Sequence, residues 1–362
     1  MLVYAAILMT CLGLLTVAHT GSKHQQKVIC LICIASLTCF SALRGYVGTD
    51  TYAYHLMFIE SRGEEFLDSL RTIEPLFALL MKSFALFSDN SFGFVASISI
   101  LQGLLVARLA STSRNPLDFL MVYTALFYLS FHFNIIRAGT AILILISANR
   151  VIRGDKEQGK FYLLGIAAIL MHYSTIVGFL PMLIARQRST TQRFLTIALV
   201  TISLAFAYRL IVADEMIVGK YFVYFELLTP DVSNSASMTF IFGLPLYLML
   251  YISVVSRKNR IGLTLFFMVW LFARWLTSIF TLAGRIELIV NSILLFTIIE
   301  ISLNGWRHQI RKISLTGLTV MWLFASLSGL ANEDAIRDQM GVTGEAYLNS
   351  SFTPYRFFWD EK

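Results

Sequence analysis

The sequence contains little charge for its length. Charged residues make up 14% of its 362 positions, whereas hydrophobic residues make up 57% and the mean hydropathy is +0.69. Soluble domains carry about 25% charged and about 45–50% apolar residues. This composition excludes an ordinary water-soluble domain. The net charge of +7 does not indicate a nucleic-acid partner, because the basic residues concentrate in short loops between apolar runs.

Cysteine is also scarce. All four cysteines (Cys11, Cys30, Cys33 and Cys39) lie inside apolar runs. The C-x-x-C spacing of Cys30 and Cys33 has no second ligand pair to complete a metal site. We therefore interpret the cysteines as small buried apolar residues without a metal or redox role.

Several catalytic signatures are absent from the sequence. There is no D-x-D pair to hold the metal ion of a nucleotide sugar, no G-x-x-x-x-G-K-[ST], no H-E-x-x-H and no G-x-S-x-G. The sequence therefore predicts neither a metal site nor a cofactor. It also disfavours an enzyme that uses ATP or nucleotide sugars in water.

Long apolar runs are the main feature that is present. Runs of about 17–21 residues can cross a hydrocarbon core of about 30 Å as helices. They predict an all-α polytopic membrane protein with about ten full transmembrane helices. The predicted spans are Leu2–Ala18, Lys27–Leu43, Ser91–Arg108, Pro116–Phe131, Asn134–Arg150, Arg193–Val212, Met238–Ser256, Ile261–Leu282, Arg285–Asn304 and Lys312–Leu330.

One further apolar segment, Lys160–Ala185, is interrupted at its middle by the sequence Met-His-Tyr-Ser. Each half has about twelve residues, or about 18 Å of helix, so neither half spans alone. We predict a re-entrant hairpin that bends near His172, which brings the total to about 11–12 membrane segments.

The short loops set the orientation, because cytoplasmic loops are rich in lysine and arginine. The spans alternate consistently only if the apolar run Pro75–Phe87 does not cross the membrane. This run is too short to span, and we predict that it forms an interfacial or re-entrant helix. The single membrane domain then exposes Arg44–Asn90, Ala213–Ser237 and the tail 331–362 on the outside. The basic groups are Lys23 and Lys27; Arg108 and Arg114; Arg150, Arg153, Lys156 and Lys160; Arg186, Arg188 and Arg193; Arg257, Lys258 and Arg260; Arg307, Arg311 and Lys312.

One stretch differs in composition from the apolar chain around it: Arg44-Gly-Tyr-Val-Gly-Thr-Asp-Thr-Tyr-Ala-Tyr54. It combines one arginine, one aspartate, two glycines and three tyrosines. A guanidinium matches phosphate oxygens, tyrosine faces pack on sugar rings, and glycine lets the backbone approach a ligand closely. By itself the stretch is more typical of an ordinary polar loop beside a membrane helix. A site for an anionic, sugar-containing ligand is favoured only together with the other residues that reach the same side of the membrane.

Three arginines lie where a membrane helix tolerates a cation poorly. Arg137 and Arg285 fall in the first turns of helices that enter from outside, where the dipole favours an anion. Arg274 lies within a span, where a charge costs about 2.5–3.5 kcal/mol on insertion scales and is usually functional. The alternative roles are contact with lipid headgroups for the first two and pairing with Glu287 for Arg274.

At this point the residues resemble the EpsG/Wzy-type family of exopolysaccharide and O-antigen polymerases, in order along nearly the whole chain. Ala138 stands where we would more often expect glutamine. The matching stretches are Arg44–Tyr54, Glu74-Pro75-Leu-Phe77, Asn134-Ile-Ile-Arg137-Ala-Gly-Thr-Ala141, Met171-His172-Tyr-Ser-Thr and Pro354-Tyr355-Arg356.

The resemblance implies a metal-independent glycosyltransferase of the bacterial inner membrane with its active site facing the periplasm. Such an enzyme transfers a growing glycan from undecaprenyl diphosphate to the terminal sugar of a new lipid-linked repeat unit. Its partners would be that lipid-linked oligosaccharide, membrane lipids, and a chain-length regulator and flippase of the same pathway.

The candidate site residues follow from this chemistry. An acceptor hydroxyl needs a general base, for which Asp50 and His172 are the candidates, and Glu74 could orient an arginine or act as base itself. The diphosphate would be stabilised by arginines and the sugar rings held by tyrosines. These residues are Arg44, Arg137, Arg274 and Arg285, and Tyr46, Tyr52 and Tyr54.

Other functions stay open at this stage. An O-antigen ligase uses related chemistry with a lipid A core as acceptor. A lipid-linked oligosaccharide flippase or other transporter would favour charges spread through the depth of the helices, whereas the charges here cluster on the outer side. A structural or assembly subunit would not need the concentration of functional residue types in Arg44–Tyr54.

Overall fold

The computed structural model describes residues 2–48, 50–70, 73–151, 158–186, 234–255, 260–277 and 283–340, and the elements of these segments are helices. The all-α prediction is confirmed for this part of the chain. The helices are α1 Leu2–Ala18, α2 Lys23–Ala42, α3 Thr51–Gly63, α4 Phe66–Ser69, α5 Pro75–Ala85, α6 Ser91–Thr112, α7 Pro116–Val122, α8 Ile136–Val151, α9 Gln158–Met171, α10 Ile176–Arg186, α11 Asn234–Val254, α12 Arg260–Thr277, α13 Ala283–Ile299 and α14 Trp306–Met340.

Many of these helices are apolar. Among the described residues, α2 and α6 are long and apolar enough to cross a membrane, as judged by length and composition. Most of the other helices are shorter apolar segments of 10–17 residues. The pattern fits a helical membrane protein, and the number of crossings stays a prediction. The predicted span Arg193–Val212 and the predicted outer loop Ala213–Ser237 lie largely or wholly outside the described residues.

Local sequence signals begin several helices. Ser22 caps α2: its hydroxyl accepts from the Gln25 amide, and the Gln25 side chain accepts from the Ser22 amide. This capping box starts α2 four residues before the predicted Lys27. Asn90 caps α6 by accepting from the Phe92 and Gly93 amides. Pro75 and Pro116 begin their helices, where a missing N–H is not needed.

The predicted interruption at His172 is present, and the chain between the predicted spans Pro116–Phe131 and Asn134–Arg150 is also irregular. The chain from α7 continues through π-helical turns at Tyr123–Phe127 and Ser130–Asn134 before α8 begins at Ile136. The second break is at His172, where α9 ends at Met171, a single 3₁₀ turn covers Tyr173–Thr175, and α10 follows. π-helical turns are often found at functional sites.

The segment Arg44–Asn90, which was predicted to lie outside the membrane, is more helical than a loop. It contains α3, α4 and α5, and its apolar side chains Tyr54, Phe58, Phe77 and Met81 join a core with residues of α6, α8 and α9. The predicted short helix Pro75–Phe87 is confirmed as α5, whose eleven residues make about 17 Å.

The chain divides into two compact units, one formed by Met1–Thr175 with Phe296–Lys362 and the other by Ile176–Leu295. In the first unit, α14 continues ten residues past the predicted end at Leu330. The extension contains no glycine or proline, so nothing in its sequence stops the helix. The motif Pro354-Tyr355-Arg356 lies outside the described residues.

Candidate active site

Glu74 lies at the centre of a buried charged cluster. One carboxylate oxygen is 2.5 Å from an Arg137 guanidinium nitrogen, and the other is 2.6 Å from Nδ1 of His172. The side chains are 9% exposed for Glu74, 17% for Arg137 and 14% for His172. Three residues that are far apart in the sequence, and that were singled out there for different reasons, therefore form one site.

Each of the three side chains is positioned at the end of a helix. Glu74 precedes Pro75, which holds the preceding backbone extended and begins α5. Arg137 lies in the first turn of α8, as predicted. His172 follows the last residue of α9, and its carbonyl accepts hydrogen bonds from the Thr175 amide at 3.1 Å and the Thr175 hydroxyl at 2.7 Å. These bonds fix the bend that carries the imidazole.

The Arg137 guanidinium also lies over two aromatic rings, those of Tyr54 and Phe77, each at 5.6 Å from the ring centroid. Cation–π contacts of this kind orient a guanidinium while leaving its in-plane donors available. Within the described chain, Arg137 Nε is buried without a hydrogen-bond partner, and so is the hydroxyl of Ser174, two residues after His172. Each of these side chains therefore has a polar atom that the described protein leaves without a hydrogen bond.

Glu74 is ionised in this arrangement. Burial alone would raise its pKa, but the hydrogen bond from His172 and the charge of Arg137 together lower the pKa below its usual value. An ionised carboxylate only accepts hydrogen bonds, so the hydrogen on His172 resides on Nδ1. The lone pair of a neutral imidazole is then on Nε2, which makes no hydrogen bond within the described residues.

Arg44 occupies a different, more deeply buried position. It is 1% exposed, donates to the Ser41 carbonyl at 2.9 Å and the Ser99 hydroxyl at 3.3 Å, and lies 4.9 Å from the centroid of the Phe133 ring. These contacts tie the end of α2 to α6 and to the turn before α8. This placement favours a positioning role for Arg44.

The rest of the motif packs against the same turn. Gly48 has a φ of 106°, and a Cβ there would overlap the Phe133 carbonyl group. The Thr51 hydroxyl donates at 2.6 Å to the Val47 carbonyl and at 3.0 Å to that of Phe133. The glycine is therefore needed for close approach of two backbone segments, one of which leads into Arg137.

The motif tyrosines divide between two surroundings. Tyr54 is buried beside Arg137. Tyr46 and Tyr52 contact each other edge to face, with centroids 5.3 Å apart, and are partly exposed. Tyr46 also contacts the buried His55, whose Nδ1 is 2.9 Å from the Ser91 hydroxyl. Asp50 is partly buried immediately before α3.

The remaining predicted arginines belong to the unit Ile176–Leu295. Arg274 donates to Glu287 at 3.0 Å, which is the pairing anticipated as its alternative role. Trp270 lies one turn before Arg274 in α12, and Asn291 lies one turn after Glu287 in α13. Tyr247 of α11 contacts both: its ring stacks on Trp270 with centroids 4.2 Å apart, and its hydroxyl donates to Asn291 at 2.5 Å. Arg285 lies in the first turn of α13, and its side chain is outside the described part of the structure.

A second buried polar network was not predicted. His132 is hydrogen-bonded to Tyr123 at 2.7 Å and to Ser41 at 3.0 Å, and Gln102 donates to the carbonyls of Phe131 and Ile136, both at 3.0 Å. Gln102 thereby links the Phe131 carbonyl, which lies before the break, to the Ile136 carbonyl at the start of α8. A glutamine within an apolar run was the available signal.

The described residues contain no group of three His, Cys, Asp or Glu placed together as metal ligands. The fold and site thus define a helical membrane protein with a buried arginine–glutamate–histidine cluster. The family model described as "EpsG family" matches residues 27–356, and the chain belongs to that family. Membership indicates a membrane polysaccharide polymerase, in agreement with the resemblance noted in the sequence. We found no match to the chain among curated proteins or among solved structures.

Proposed function

We propose that the protein is a glycan polymerase of the bacterial inner membrane. It transfers a growing glycan from undecaprenyl diphosphate to the terminal sugar of a new lipid-linked repeat unit on the periplasmic side. The observation that carries the proposal is the cluster of Arg137, Glu74 and His172, which combines an anion-binding group with a general base. Family membership supports the reaction class.

His172 is the proposed general base. Glu74 orients the imidazole through Nδ1–H, so that Nε2 is free to take a proton from the acceptor hydroxyl. The resulting imidazolium lies against the Glu74 carboxylate, which stabilises its charge. Asp50 was the other candidate base, and the direct contact between His172 and Glu74 favours the histidine.

The transfer step conserves atoms and charge. The oxygen of the acceptor hydroxyl forms a bond to the anomeric carbon of the donor glycan, and the bond from that carbon to the diphosphate oxygen breaks with its electron pair. The proton goes to His172 Nε2. Negative charge develops on the departing diphosphate, and Arg137 stabilises it through guanidinium donors, including the buried Nε.

Metal independence is part of the proposal. A lipid diphosphate leaving group can be stabilised by arginine, as it develops charge, without a bridging metal ion. The whole sequence contains no D-x-D pair. We expect purified protein to extend a lipid-diphosphate repeat unit in excess EDTA at the same rate as without it. An absolute requirement for a divalent ion would contradict this part of the proposal.

The test of function uses the purified protein in lipid nanodiscs with a lipid-diphosphate-linked repeat unit. The wild type should give a ladder of products, and Glu74→Gln and His172→Gln should each reduce the initial rate by roughly 10²–10⁴-fold. The matched control is His19→Gln, since His19 is a partly exposed histidine paired at 3.6 Å with Asp118 in another part of the chain.

Two results would overturn the proposal. Wild-type protein that joins the glycan to a lipid A core without lengthening it would be a ligase. Equal rates for His172→Gln and His19→Gln would remove the histidine from the reaction. In cells, deletion of the gene should abolish the surface glycan ladder and leave a single repeat unit.

A further inference from the structure

One side of α9 exposes large apolar side chains. Tyr162, Leu163, Ile166 and Leu170 have exposed fractions of 40%, 67%, 52% and 38%. Their spacing of three and four residues places them on one face of the helix, which we call the α9 stripe. Tyr173, in the turn beyond the helix, is 51% exposed and extends the same series.

The opposite side of α9 is buried. Phe161, Gly165, Ala168 and Met171 face inward, and α9 packs against α8 and α5. Met171 belongs to the same apolar core as Tyr54 and Phe77, the two rings beneath Arg137. The buried side of this helix is therefore fixed to the active site, while its exposed side is apolar along about 16 Å from Tyr162 to Tyr173.

The stripe ends at the bend that carries His172. Its last helical member, Leu170, is two residues before His172, whose Nδ1 contacts Glu74. Just beyond His172, the Ser174 hydroxyl is buried without a partner in the described chain. The apolar face of α9 thus ends at a bend that carries polar side chains. A lipid with an apolar tail and a phosphate-bearing head would match the two parts in the same order.

We infer that the α9 stripe binds the polyisoprenyl chain of the donor lipid. This inference rests on the proposed function. In the transfer reaction the donor's diphosphate is bonded to the reacting carbon, so its first isoprene units must leave the site at the catalytic cluster. The acceptor's own diphosphate lies a whole oligosaccharide away from the reacting hydroxyl. A polyisoprenyl chain beginning at His172 therefore belongs to the donor.

Aliphatic and aromatic side chains suit this ligand. An isoprenoid chain is apolar and branched, and its binding depends on contact area with such side chains. Removing part of that area weakens binding of the long chain and leaves the head-group contacts unchanged. If the same face contacted only bulk lipid, these substitutions would not change the affinity for the donor according to the length of its prenyl chain.

The experiment compares donors of two prenyl lengths with one fixed acceptor. Each donor carries a blocked terminal sugar hydroxyl, so that it cannot act as acceptor. We expect Ile166→Ala and Leu170→Ala to raise KM for the undecaprenyl donor roughly tenfold each, with kcat preserved. With a donor that carries a ten-carbon prenyl group, KM should match the wild type.

The matched controls are Ile100→Ala and Leu104→Ala on α6, where the same residue types are 49% and 63% exposed. These two variants should change neither the KM for the undecaprenyl donor nor the KM for the ten-carbon donor. The inference is overturned if the α9 variants affect both donors equally, affect neither, or behave like the α6 controls, which would indicate contact with bulk lipid.

A binding measurement separates this inference from the proposed function. A photoreactive phenylalanine at position 166 should crosslink a labelled undecaprenyl diphosphate, with competition by excess unlabelled compound, and one at position 104 should not. Crosslinking without polymerisation would leave the binding surface standing and overturn the polymerase. Polymerisation without crosslinking at 166, together with no effect on the undecaprenyl KM, would overturn the binding surface alone.

Discussion

At the residue scale, two arginines of the chain have distinct surroundings. Arg137 shares Glu74 with His172 and lies over Tyr54 and Phe77, with its Nε free of protein partners in the described chain. Arg44 is almost completely buried and bonded to Ser41 and Ser99. Sequence alone assigned both to the diphosphate, and their surroundings now predict different results for the same substitution.

Arg137→Lys should leave the protein folded and inserted and reduce turnover by roughly 10²–10³-fold, because lysine is a point charge that cannot replace the planar donors of the guanidinium. The measurement is the initial rate at matched membrane abundance. Arg108→Lys, at an exposed position near the end of α6, is the control. If both variants work equally well, Arg137 serves only to hold a charge near the membrane surface.

Arg44→Lys should act mainly on folding. One Arg44 nitrogen donates to Ser41 and Ser99 together, and lysine lacks the geometry to keep these bonds and the contact with Phe133. We expect a loss of roughly 1–3 kcal/mol of stability, seen as a lower apparent Tm and less folded protein. The rate per folded molecule should stay within a few fold of wild type; a selective loss of that rate would return Arg44 to the active site.

At the element scale, the segment Arg44–Asn90 acts through its packing. The turn at Gly48 presses against the Phe133 carbonyl, and α3 and α5 bring Tyr54, Glu74 and Phe77 to α8. Motif residues outside the Arg137–Glu74–His172 cluster thereby influence where Arg137 is held. A substitution in this turn should accordingly act at a distance from the reaction.

Gly48→Ala should destabilise the segment. An added Cβ would overlap the Phe133 carbonyl, and a positive φ costs a non-glycine residue about 1–2 kcal/mol by itself. The expected results are a lower Tm in detergent and faster proteolysis between α3 and α5. Gly63→Ala is the control, since its added Cβ meets no atom within 4 Å. Similar Tm values for the two variants would show that the close contact is dispensable.

His55 should make the segment Arg44–Asn90 sensitive to acid. Burial, with a smaller effect of the Arg44 charge, lowers the pKa of His55 to about 3 in the folded chain, whereas an unfolded histidine has a pKa of about 6.5. Between these values the unfolded state binds more protons. The stability contributed by the neutral histidine is therefore complete above about pH 6.5. As the pH is lowered below this value, the free energy of unfolding decreases by up to about 1.4 kcal/mol per pH unit.

The measurement is apparent Tm from pH 7.5 to pH 5 for the wild type and His55→Gln. Glutamine does not titrate and can still bond to the Ser91 hydroxyl. We expect a steeper decline for the wild type. Parallel declines would mean that protonation of His55 does not contribute to the acid sensitivity.

At the scale of the whole molecule, the orientation in the membrane decides which compartment supplies the substrate. Loop charges predict that Arg44–Asn90 lies outside and that the region around Lys312 lies inside. The cluster of Glu74, Arg137 and His172 would then face the periplasm, where lipid-linked repeat units are available after they have crossed the membrane.

Cysteine labelling tests this orientation. With the four native cysteines replaced by alanine, Glu65→Cys should react with an impermeant thiol reagent in intact spheroplasts, and Lys312→Cys only after lysis. Both positions are exposed in the structure. Labelling of Glu65→Cys only after lysis would reverse the orientation and put the proposed site on the cytoplasmic side.

Several properties of the protein follow from its sequence alone. Composition and apolar runs predict a helical membrane protein, because the cost of burying backbone polar groups in lipid leaves few alternatives. Local signals predict the short helix after Pro75 and the break at His172, and the motifs indicate the family. These inferences succeed because they depend on neighbouring residues, whose interactions do not require knowledge of the fold.

Tertiary structure alone decided which of the candidate residues meet. Glu74, Arg137 and His172 are separated by 63 and 35 positions, and their spacing carries no information on contact. Likewise, nothing in Arg44–Tyr54 distinguishes an arginine that faces a ligand from one buried under Phe133. Packing of α3, α5 and α9 around α8 makes that distinction, since a side chain's role depends on its burial and partners, and these are set by residues distant along the chain.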